Sequence, residues 1–291
     1  MLLFPNAKIN IGLNILRRRP DGYHDICTVM VPVGWRDVLE MVPAKGAETT
    51  FTLVGDDTLH LSDARDNLVM KALAALEKHI GHKLPPTDIY LSKIVPTGAG
   101  LGGGSADAAF AIRGANKLWN LGLSNEEMAA VAAKVGADCP FFIYNRPMLA
   151  EGIGEVLTPL DVPALDGLTV LIVKPSAEAV STRDAYAGVT PHIPEGTYIM
   201  ADAIAASPEQ WMESGVLYND FETSIFPLRP TIAQTKQKLA ATNPLYVSMS
   251  GSGASVFALY PNDKLAEEAA KAFTGHEIYV GRLSSDEISE R

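Results

Sequence analysis

The clearest pattern in the first part of the chain is a strict alternation of polar and apolar residues over positions 8–15. Lys8, Asn10, Gly12 and Asn14 fall on one face, and the isoleucines and the leucine between them fall on the other. A period of two over eight residues predicts a half-buried strand. On the pattern alone, its polar face is expected to be an ordinary solvated face.

Further apolar runs, bounded by turn residues such as Asp21-Gly22, make the first third of the chain rich in predicted strands. Two helices with apolar stripes follow, and Ser124 and Glu127 form a capping box that opens a third. The predicted strands cover residues 27–35, 38–42, 50–54, 87–95 (which Pro96 stops), 141–144 and 148–151, and the predicted helices cover residues 67–79, 105–119 and 124–134.

The second half also mixes strands and helices. Its predicted strands cover residues 168–173, 245–249, 255–259 and 277–280, and a helix is expected over residues 264–273. This order predicts an α+β fold. The Pro-, Gly- and Asp-rich stretch 158–167 is the expected boundary between a domain of residues 1–160 and a second of residues 161–291.

Composition narrows the function classes. The chain has 291 residues, 47% of them apolar, and a net charge of −10. The apolar fraction suffices for a core, and the acidic balance argues against nucleic-acid binding and against a polybasic membrane surface. Only two cysteines, and no apolar run near the ~18 residues of a membrane helix, lead us to expect a soluble, cytoplasmic protein. An acidic chain that binds an acidic ligand must do so locally.

A local anion site is predicted by five glycines within seven residues, between a predicted strand and a predicted helix. Such a loop exposes backbone N–H groups where the helix N-terminus adds partial positive charge, which favours phosphate over a merely flexible turn. This glycine loop is the run Pro96, Thr97, Gly98, Ala99, Gly100, Leu101, Gly102, Gly103, Gly104, Ser105 and Ala106.

The type of phosphate site follows by comparison with known motifs. A Walker A loop requires Gly-Lys-Ser/Thr, whereas Ser105 follows Gly104 directly. A dinucleotide fingerprint requires a second strand ending in Asp or Glu about 20 residues later, whereas residues 119–124 predict a turn into another helix. The His-Arg-Asp and Asp-Phe-Gly signatures of protein kinases are missing from the sequence.

Two further places are ambiguous on their own. The second glycine cluster, residues 250–255, is explained most simply by a tight hairpin when taken alone, and paired with the first glycine loop it fits a second wall of one nucleotide site. In Gly136-Ala137-Asp138-Cys139-Pro140, Asp138 reads as a turn residue and Cys139 as a small core residue rather than a nucleophile.

Taken together, residues 5–11, 96–109 and 250–255 have the order and spacing of the GHMP small-molecule kinases, named for galactokinase, homoserine kinase, mevalonate kinase and phosphomevalonate kinase. The chain resembles this family over essentially its whole length. Four more specific segments are similar to the member that acts on a cytidine diphosphate-linked polyol: residues 19–24, Asp66-Asn67-Leu68, residues 136–140 and residues 150–155.

The resemblance implies a two-domain kinase, with an N-terminal domain like domain 2 of ribosomal protein S5 and a ferredoxin-like C-terminal domain. It implies transfer of the γ-phosphoryl group of ATP to the 2-hydroxyl of a cytidine diphosphate-linked methylerythritol, in non-mevalonate isoprenoid biosynthesis. The expected co-substrate is ATP with Mg²⁺, the expected partners are small molecules, and the expected state is a monomer or homodimer.

The resemblance also implies residue roles. Lys8 and Asp138 match the catalytic pair, and the glycine loop would wrap the triphosphate. The adenine would contact Asn67, Leu68 and Lys93. The acceptor would contact Asn10, Tyr23, His24, Thr182, Tyr186, Gly251 and Gly253, with Tyr23 and Tyr186 on either side of the cytosine and His24 hydrogen-bonding it.

Two features depart from a complete family pattern. Ala106 stands where many members carry a second serine, which removes one hydroxyl and leaves the backbone N–H groups in place. For magnesium, Ser105 is a candidate ligand by position, no carboxylate partner follows from the sequence, and the resemblance allows a metal held mostly by phosphates and water. The alternatives are another GHMP kinase such as a homoserine kinase, a catalytically silent nucleotide-binding regulator and, more remotely, a dinucleotide-dependent oxidoreductase.

Overall fold

A computed structural model describes residues 1–55, 67–193 and 200–285 of the chain. The strands are β1 (Leu2–Leu3), β2 (Asn6–Arg18), β3 (His24–Arg36), β4 (Val38–Pro43), β5 (Thr50–Val54), β6 (Thr87–Ser92), β7 (Met148–Glu151), β8 (Val156–Pro159), β9 (Thr169–Lys174), β10 (Tyr246–Met249), β11 (Val256–Tyr260) and β12 (Glu277–Arg282). The helices are α1 (Leu68–Ile80), α2 (Gly103–Leu118), α3 (Asn125–Ala132), α4 (Cys139–Tyr144), α5 (Thr182–Ala187), α6 (Met200–Ala205), α7 (Phe221–Leu228), α8 (Pro230–Ala240) and α9 (Asp263–Ala270).

The first two sheets are built from residues 1–159. One has the strand order β2-β3-β7-β8 and begins with the long antiparallel hairpin β2–β3. Its register shifts between Ile11 and Leu13, where Gly12 has a φ of 70°. The other sheet has the order β1-β4-β6-β5, with β5 parallel to β6, and its buried side chains share a core with those of α1 and α2.

The third sheet has the order β10-β11-β9-β12, and all its paired strands are antiparallel. Strands β9 to β12 with helices α8 and α9 follow the β-α-β-β-α-β order of a ferredoxin-like unit. A core cluster joins this sheet to the first one, through side chains such as Ile9 and Val31 on one side and Ile172 and Phe257 on the other. The α+β prediction is confirmed, and the division at residue 160 stays a prediction.

Most predicted elements lie where the periodicity places them, and two expectations were wrong. Residues 141–144 form the end of helix α4 and not a strand, because Pro140 in the first turn starts a helix and the apolar run is buried on all sides. The polar face of β2 is not solvated: Lys8, Asn10 and Asn14 are 3%, 1% and 2% exposed, so the strand is buried on both faces.

Helix α2 begins at Gly103, two residues before the predicted start, and the capping box of Ser124 and Glu127 is confirmed at α3. Cys139 is fully buried, as expected for a core residue. Within the residues that the structure describes, no helix has both the length and the apolar character to cross a bilayer.

Candidate active site

A cleft of about 1470 Å³ opens between the glycine loop, the start of β2 and the segment 180–191. It brings together residues from across the chain: Lys8 and Asn10 of β2, the turn before β3 with Tyr23 and His24, the glycine loop, and Asp138. A concave site with a few convergent polar groups is the usual form of a small-molecule site.

The glycine loop folds so that its backbone faces the cleft. Gly98, Gly100 and Gly102 have positive φ angles of 61°, 74° and 72°, which side-chain-bearing residues rarely adopt. Gly102 is the N-cap of α2 and has no side chain to cap the helix, so the first N–H groups of the helix are left for a ligand. An N-terminus of this kind suits an anion such as a phosphate.

The second loop, residues 250–255, supports the first by direct backbone packing. A Cβ added to Gly100 would lie 2.0 Å from the carbonyl oxygen of Ser250, so only glycine permits this approach. The Ser250 hydroxyl donates to the Gly100 carbonyl at 3.0 Å, and the Ser255 N–H donates to the Ala99 carbonyl at 3.1 Å. The hairpin interpretation describes one part of this segment, because it joins the antiparallel strands β10 and β11. The segment also forms part of the cleft wall, since Gly251 and Ser252 line the cleft.

Lys8 and Asp138 meet at the cleft wall. The Lys8 ammonium lies 3.5 Å from an Asp138 carboxylate oxygen and donates to Asn10 Oδ1 at 2.5 Å. Asn10 in turn donates to the Thr28 hydroxyl at 3.0 Å, and Thr28 donates to the Gly12 carbonyl at 2.5 Å. The polar face of β2 is therefore a hydrogen-bonded row that fixes the lysine, while the Asp138 side chain is 34% exposed.

Helix α4 positions the carboxylate. Asp138 is its N-cap residue, followed by Cys139 and Pro140 in the first turn. Burial raises the pKa of the Cys139 thiol to about 12, so the thiol stays protonated at neutral pH and is no nucleophile. The buried side chains of Cys139 and Pro140 hold this first turn against the core, and the Asp138 carboxylate remains partly exposed at the cleft surface.

Aromatic side chains line the far end of the cleft. The rings of His24 and Tyr186 stack with centroids 4.7 Å apart, whereas Tyr23 is 60% exposed. Burial, with the nearby charge of Arg18, lowers the pKa of His24 below its usual value, which favours the neutral ring. The Thr182 hydroxyl lies 3.5 Å from that of Ser252, which links the start of α5 to the second loop.

Several expected contact residues have another structural position. Asn67 accepts a hydrogen bond from the Val69 N–H and so caps α1, while Leu68 lines the cleft. The Ala106 side chain is fully buried within α2. A Cβ added to Gly253 would lie 2.8 Å from the Met249 sulfur, so this side of Gly253 packs against the protein. The motif residue Asp66 lies outside the described residues.

Lys93 also lines the cleft, and its ammonium pairs with Asp37 and Asp107. Neither aspartate was singled out in the sequence, because nothing in the pattern distinguishes a buried acid from an exposed one. The sequence pattern did not single out Asn219 either, because it does not show whether an asparagine is buried. The Asn219 amide donates to the carbonyls of Met249 and Gly251 at 2.7 and 2.8 Å and so fixes the second loop.

Among the described residues, no group of three or more His, Cys, Asp or Glu side chains is arranged to hold a metal ion. Ser105 lines the cleft in the first turn of α2, beside the N–H groups that suit a phosphate. This arrangement fits a cation that arrives already bound to phosphates.

Comparison with known proteins places these features in a family. The profile for the N-terminal domain of GHMP kinases matches residues 67–146, and the profile for their C-terminal domain matches residues 200–277. A 4-diphosphocytidyl-2-C-methyl-D-erythritol kinase of Bacteroides fragilis is 44% identical over 94% of this chain and 98% of its own length. The protein of the same name from Parabacteroides distasonis is 43% identical over 98% and 100%.

Solved structures show the same fold. A crystal structure of 4-(cytidine 5'-diphospho)-2C-methyl-D-erythritol kinase superposes with a TM-score of 0.80 at 29% identity, covering 98% of this chain and all of its own. A homoserine kinase from Cytophaga hutchinsonii gives a TM-score of 0.71 at 20% identity, covering 98% and 95%. The latter similarity concerns the fold alone.

Proposed function

This chain belongs to the 4-diphosphocytidyl-2-C-methyl-D-erythritol kinases of the GHMP kinase family, and we propose that it transfers the γ-phosphoryl group of ATP to the 2-hydroxyl of that cytidine diphosphate-linked acceptor. The observation that carries the proposal is the 3.5 Å approach of Lys8 and Asp138 in a cleft with a glycine loop along one wall and the His24–Tyr186 stack at its far end. One end of this cleft suits a triphosphate and the other a planar base.

The proposed roles follow from the charge that phosphoryl transfer has to move. Such transfers depend mainly on positioning and charge neutralisation. The N–H groups at the start of α2 hold the phosphates, and Lys8 neutralises charge that develops on the acceptor oxygen and the γ-phosphate. Lys8 is already oriented, because its ammonium donates to Asn10 and the Asn10 amide is held in turn by the Thr28 hydroxyl.

Asp138 orients the acceptor hydroxyl and accepts its proton. An aspartate, with a reference pKa near 3.9, is a weak base. The proton therefore transfers late, as the bond from the acceptor oxygen to phosphorus forms and the bond to the leaving β-phosphate oxygen breaks. The products are the 2-phosphate and ADP, and the proton rests on Asp138 until solvent removes it. When bound together with ATP, Mg²⁺ would supply further charge neutralisation, and Ser105 is the residue that would help to hold it.

The base recognition at the other end selects the acceptor. Neutral His24 can donate or accept hydrogen bonds at the edge of a cytosine. Because His24 covers one face of the Tyr186 ring, the base takes the place of His24 when it stacks on Tyr186. Tyr23 is exposed and therefore free to cover the opposite face of the base. The acceptor of a homoserine kinase has no aromatic base to bind at this end of the cleft. Competition by CMP against the acceptor therefore distinguishes the two acceptor classes.

The test replaces Asp138 by Asn, which keeps its size and removes its charge. In a coupled assay of ADP release, turnover should fall by about 10²–10⁴, the usual contribution of a general base. Asp161→Asn is the matched control, because Asp161 is exposed and lies outside the cleft, and it should leave turnover unchanged.

Wild-type turnover in Asp138→Asn would refute the assigned role. The acceptor class is tested separately, since CMP or CDP should compete with the acceptor. If neither inhibits at millimolar concentration, the acceptor assignment fails and another small-molecule alcohol takes its place. A protein that binds ATP and transfers nothing would instead be the silent nucleotide-binding regulator.

A further inference from the structure

Beneath the glycine loop, one buried lysine pairs with two buried aspartates. The Lys93 ammonium contacts the Asp37 carboxylate closely and lies 2.7 Å from Asp107 Oδ2. The side chains of Lys93, Asp37 and Asp107 are only 8%, 0% and 4% exposed. We call these three residues the buried triad.

The lysine charge is fully engaged by the triad. An ammonium group has three donor hydrogens, and two of them face carboxylates at hydrogen-bond distance. Burial raises the pKa of the Asp107 carboxyl to about 7, and whether Asp107 is charged or neutral, Asp37 and Asp107 leave the triad no spare positive charge to offer a phosphate. Lys93 lines the cleft, yet it is unsuited to act there as a free cation.

Instead, the triad ties together three backbone segments around the loop. Asp37 lies between β3 and β4, and its Oδ1 accepts the N–H groups of Ile94 and Val95 at 2.5 and 2.8 Å. Those two residues lead directly from Lys93 to Pro96, where the glycine loop begins. Asp37 therefore fixes the direction in which the chain leaves β6.

The third member fixes the other end of the loop. Asp107 lies in the second turn of α2. The Lys93 ammonium also lies close to Gly103, the first residue of that helix: a Cβ added to this glycine would be 3.3 Å from Lys93 Nζ. Lys93 thus joins the chain entering the glycine loop to the helix that follows it. The distance between these two ends decides where the loop N–H groups point.

We propose that the buried triad is a positioning device for nucleotide binding, in which Lys93, Asp37 and Asp107 set the shape of the glycine loop without contacting the phosphates. The inference deepens the proposed function, because it assigns the loop geometry on which ATP affinity depends. Removing one member leaves the others buried and incompletely paired, so the loop ends shift relative to each other.

The triad explains why an unpaired polar atom is tolerated here. Asp107 Oδ1 is buried and makes no hydrogen bond. Leaving such an atom unpaired costs stability, and proteins keep few of them. The other carboxylate oxygen of Asp107 lies 2.7 Å from the Lys93 ammonium and so holds it between the two loop ends.

The main test measures binding of the non-hydrolysable analogue AMP-PNP with Mg²⁺ to Lys93→Met, by calorimetry on the full chain. We expect the dissociation constant to rise roughly ten-fold, the effect of breaking a coupled network. Lys174→Met is the control, because Lys174 is equally buried, pairs with Glu277 at 2.6 Å and lies outside the cleft. It should bind AMP-PNP within about two-fold of the parent protein.

Binding of CMP to the same variants separates positioning from general loosening. CMP affinity should be unchanged in Lys93→Met, because its proposed site lies at the other end of the cleft. Equal losses for AMP-PNP and CMP, or an unchanged AMP-PNP affinity, would overturn the proposal. If the parent protein binds AMP-PNP and not CMP, the acceptor assignment fails while the triad comparison stands.

Conservative variants keep the test decisive if Lys93→Met does not fold. Lys93→Arg restores the charge, so its AMP-PNP affinity should lie nearer to that of the parent protein than the roughly ten-fold loss expected for removing the charge. Asp107→Asn keeps the size and an acceptor oxygen for Lys93, and it should weaken AMP-PNP binding by about three-fold. Parent-like affinity in a folded Asp107→Asn protein would show that the loop shape does not depend on the triad.

Discussion

At the scale of single residues, the site rests on charged and polar groups that the fold holds in place before any substrate arrives. Lys8 is 3% exposed, and burying an ammonium is costly unless its hydrogens find partners. Asn10 and Asp138 provide those partners at 2.5 and 3.5 Å. Because the lysine is already desolvated and oriented, little reorganisation of Lys8 would remain for the transfer step that we propose.

His24 gives a prediction about pH at this scale. Its pKa is lowered by burial and by Arg18, so the ring should titrate by NMR below its reference value of about 6.5. The folded protein then binds fewer protons than the unfolded chain as the pH falls toward that midpoint. His24 should therefore cost stability on acidification, and stability rises with pH across this window.

Replacing Arg18 by Gln removes the positive charge that helps to lower the pKa of His24, so the midpoint of the His24 titration should move to higher pH. Lys134→Gln, an exposed cation outside the cleft, serves as the control and should leave the midpoint in place. The assignment is wrong if the parent ring titrates at or above its reference value, or if Arg18→Gln does not shift it.

At the scale of elements, the two glycine-rich loops act as one unit. The second loop alone reads as a hairpin, yet its backbone lies against the first loop so closely that a side chain at Gly100 has no space. Asn219 then holds the second loop through two carbonyls. The shape of the proposed phosphate cradle is therefore set by three separate segments rather than by the glycine loop itself.

Gly100→Ala tests this coupling. The new Cβ would lie 2.0 Å from the Ser250 carbonyl, and a φ of 74° adds about 1–2 kcal/mol of backbone strain. Because the loops must separate, we expect AMP-PNP affinity to fall at least about ten-fold. Gly81→Ala is the matched control, since Gly81 has a φ of 78° and no atom within 4 Å of the Cβ position.

Thermal unfolding and AMP-PNP titration of both variants give the comparison. Gly81→Ala should lose only the stability that backbone strain accounts for and bind AMP-PNP like the parent. Similar nucleotide affinities in the two variants would mean that the loop contact is not needed for the cradle.

At the scale of the whole molecule, the net charge of −10 opposes the binding of polyanions. In the proposed function both substrates are polyanions, and the protein has to overcome that repulsion within a few ångströms. In the proposed function it does so with backbone N–H groups, one helix N-terminus and Lys8, whose partial and single charges would act at contact distance. A basic surface is unnecessary for such a site.

This local neutralisation predicts a weak response to salt. A protein that neutralises six to ten nucleic-acid phosphates with cations loses about 10³–10⁵ in affinity between 50 and 200 mM salt. Here the AMP-PNP dissociation constant should change less than about three-fold over that range, because screening weakens the long-range repulsion as well as the attraction to Lys8. A steep loss in calorimetric titrations at increasing KCl would instead reveal a set of exposed cations at the nucleotide site.

Much of the fold was predictable from local pattern. Strand β7 begins and ends where the apolar run predicts, and α3 begins at its capping box. The prediction failed at residues 141–144, where a run that is apolar throughout has no period to separate a buried strand from a buried helix. Pro140 was the available signal for a helix start, and it was outweighed by the aromatic and β-branched residues that follow.

By itself, the sequence determined the elements, the glycine loop and the small set of motifs that mark a GHMP kinase, because periodicity, turn chemistry and loop composition are local properties. Only the tertiary structure decided that the polar face of β2 is buried, that Lys8 reaches Asp138, and that Lys93 is held by Asp37 and Asp107. The physical reason is the same in each case. Burial and pairing depend on which distant segments cover a residue, and a pattern along the chain carries no record of what lies across the cleft.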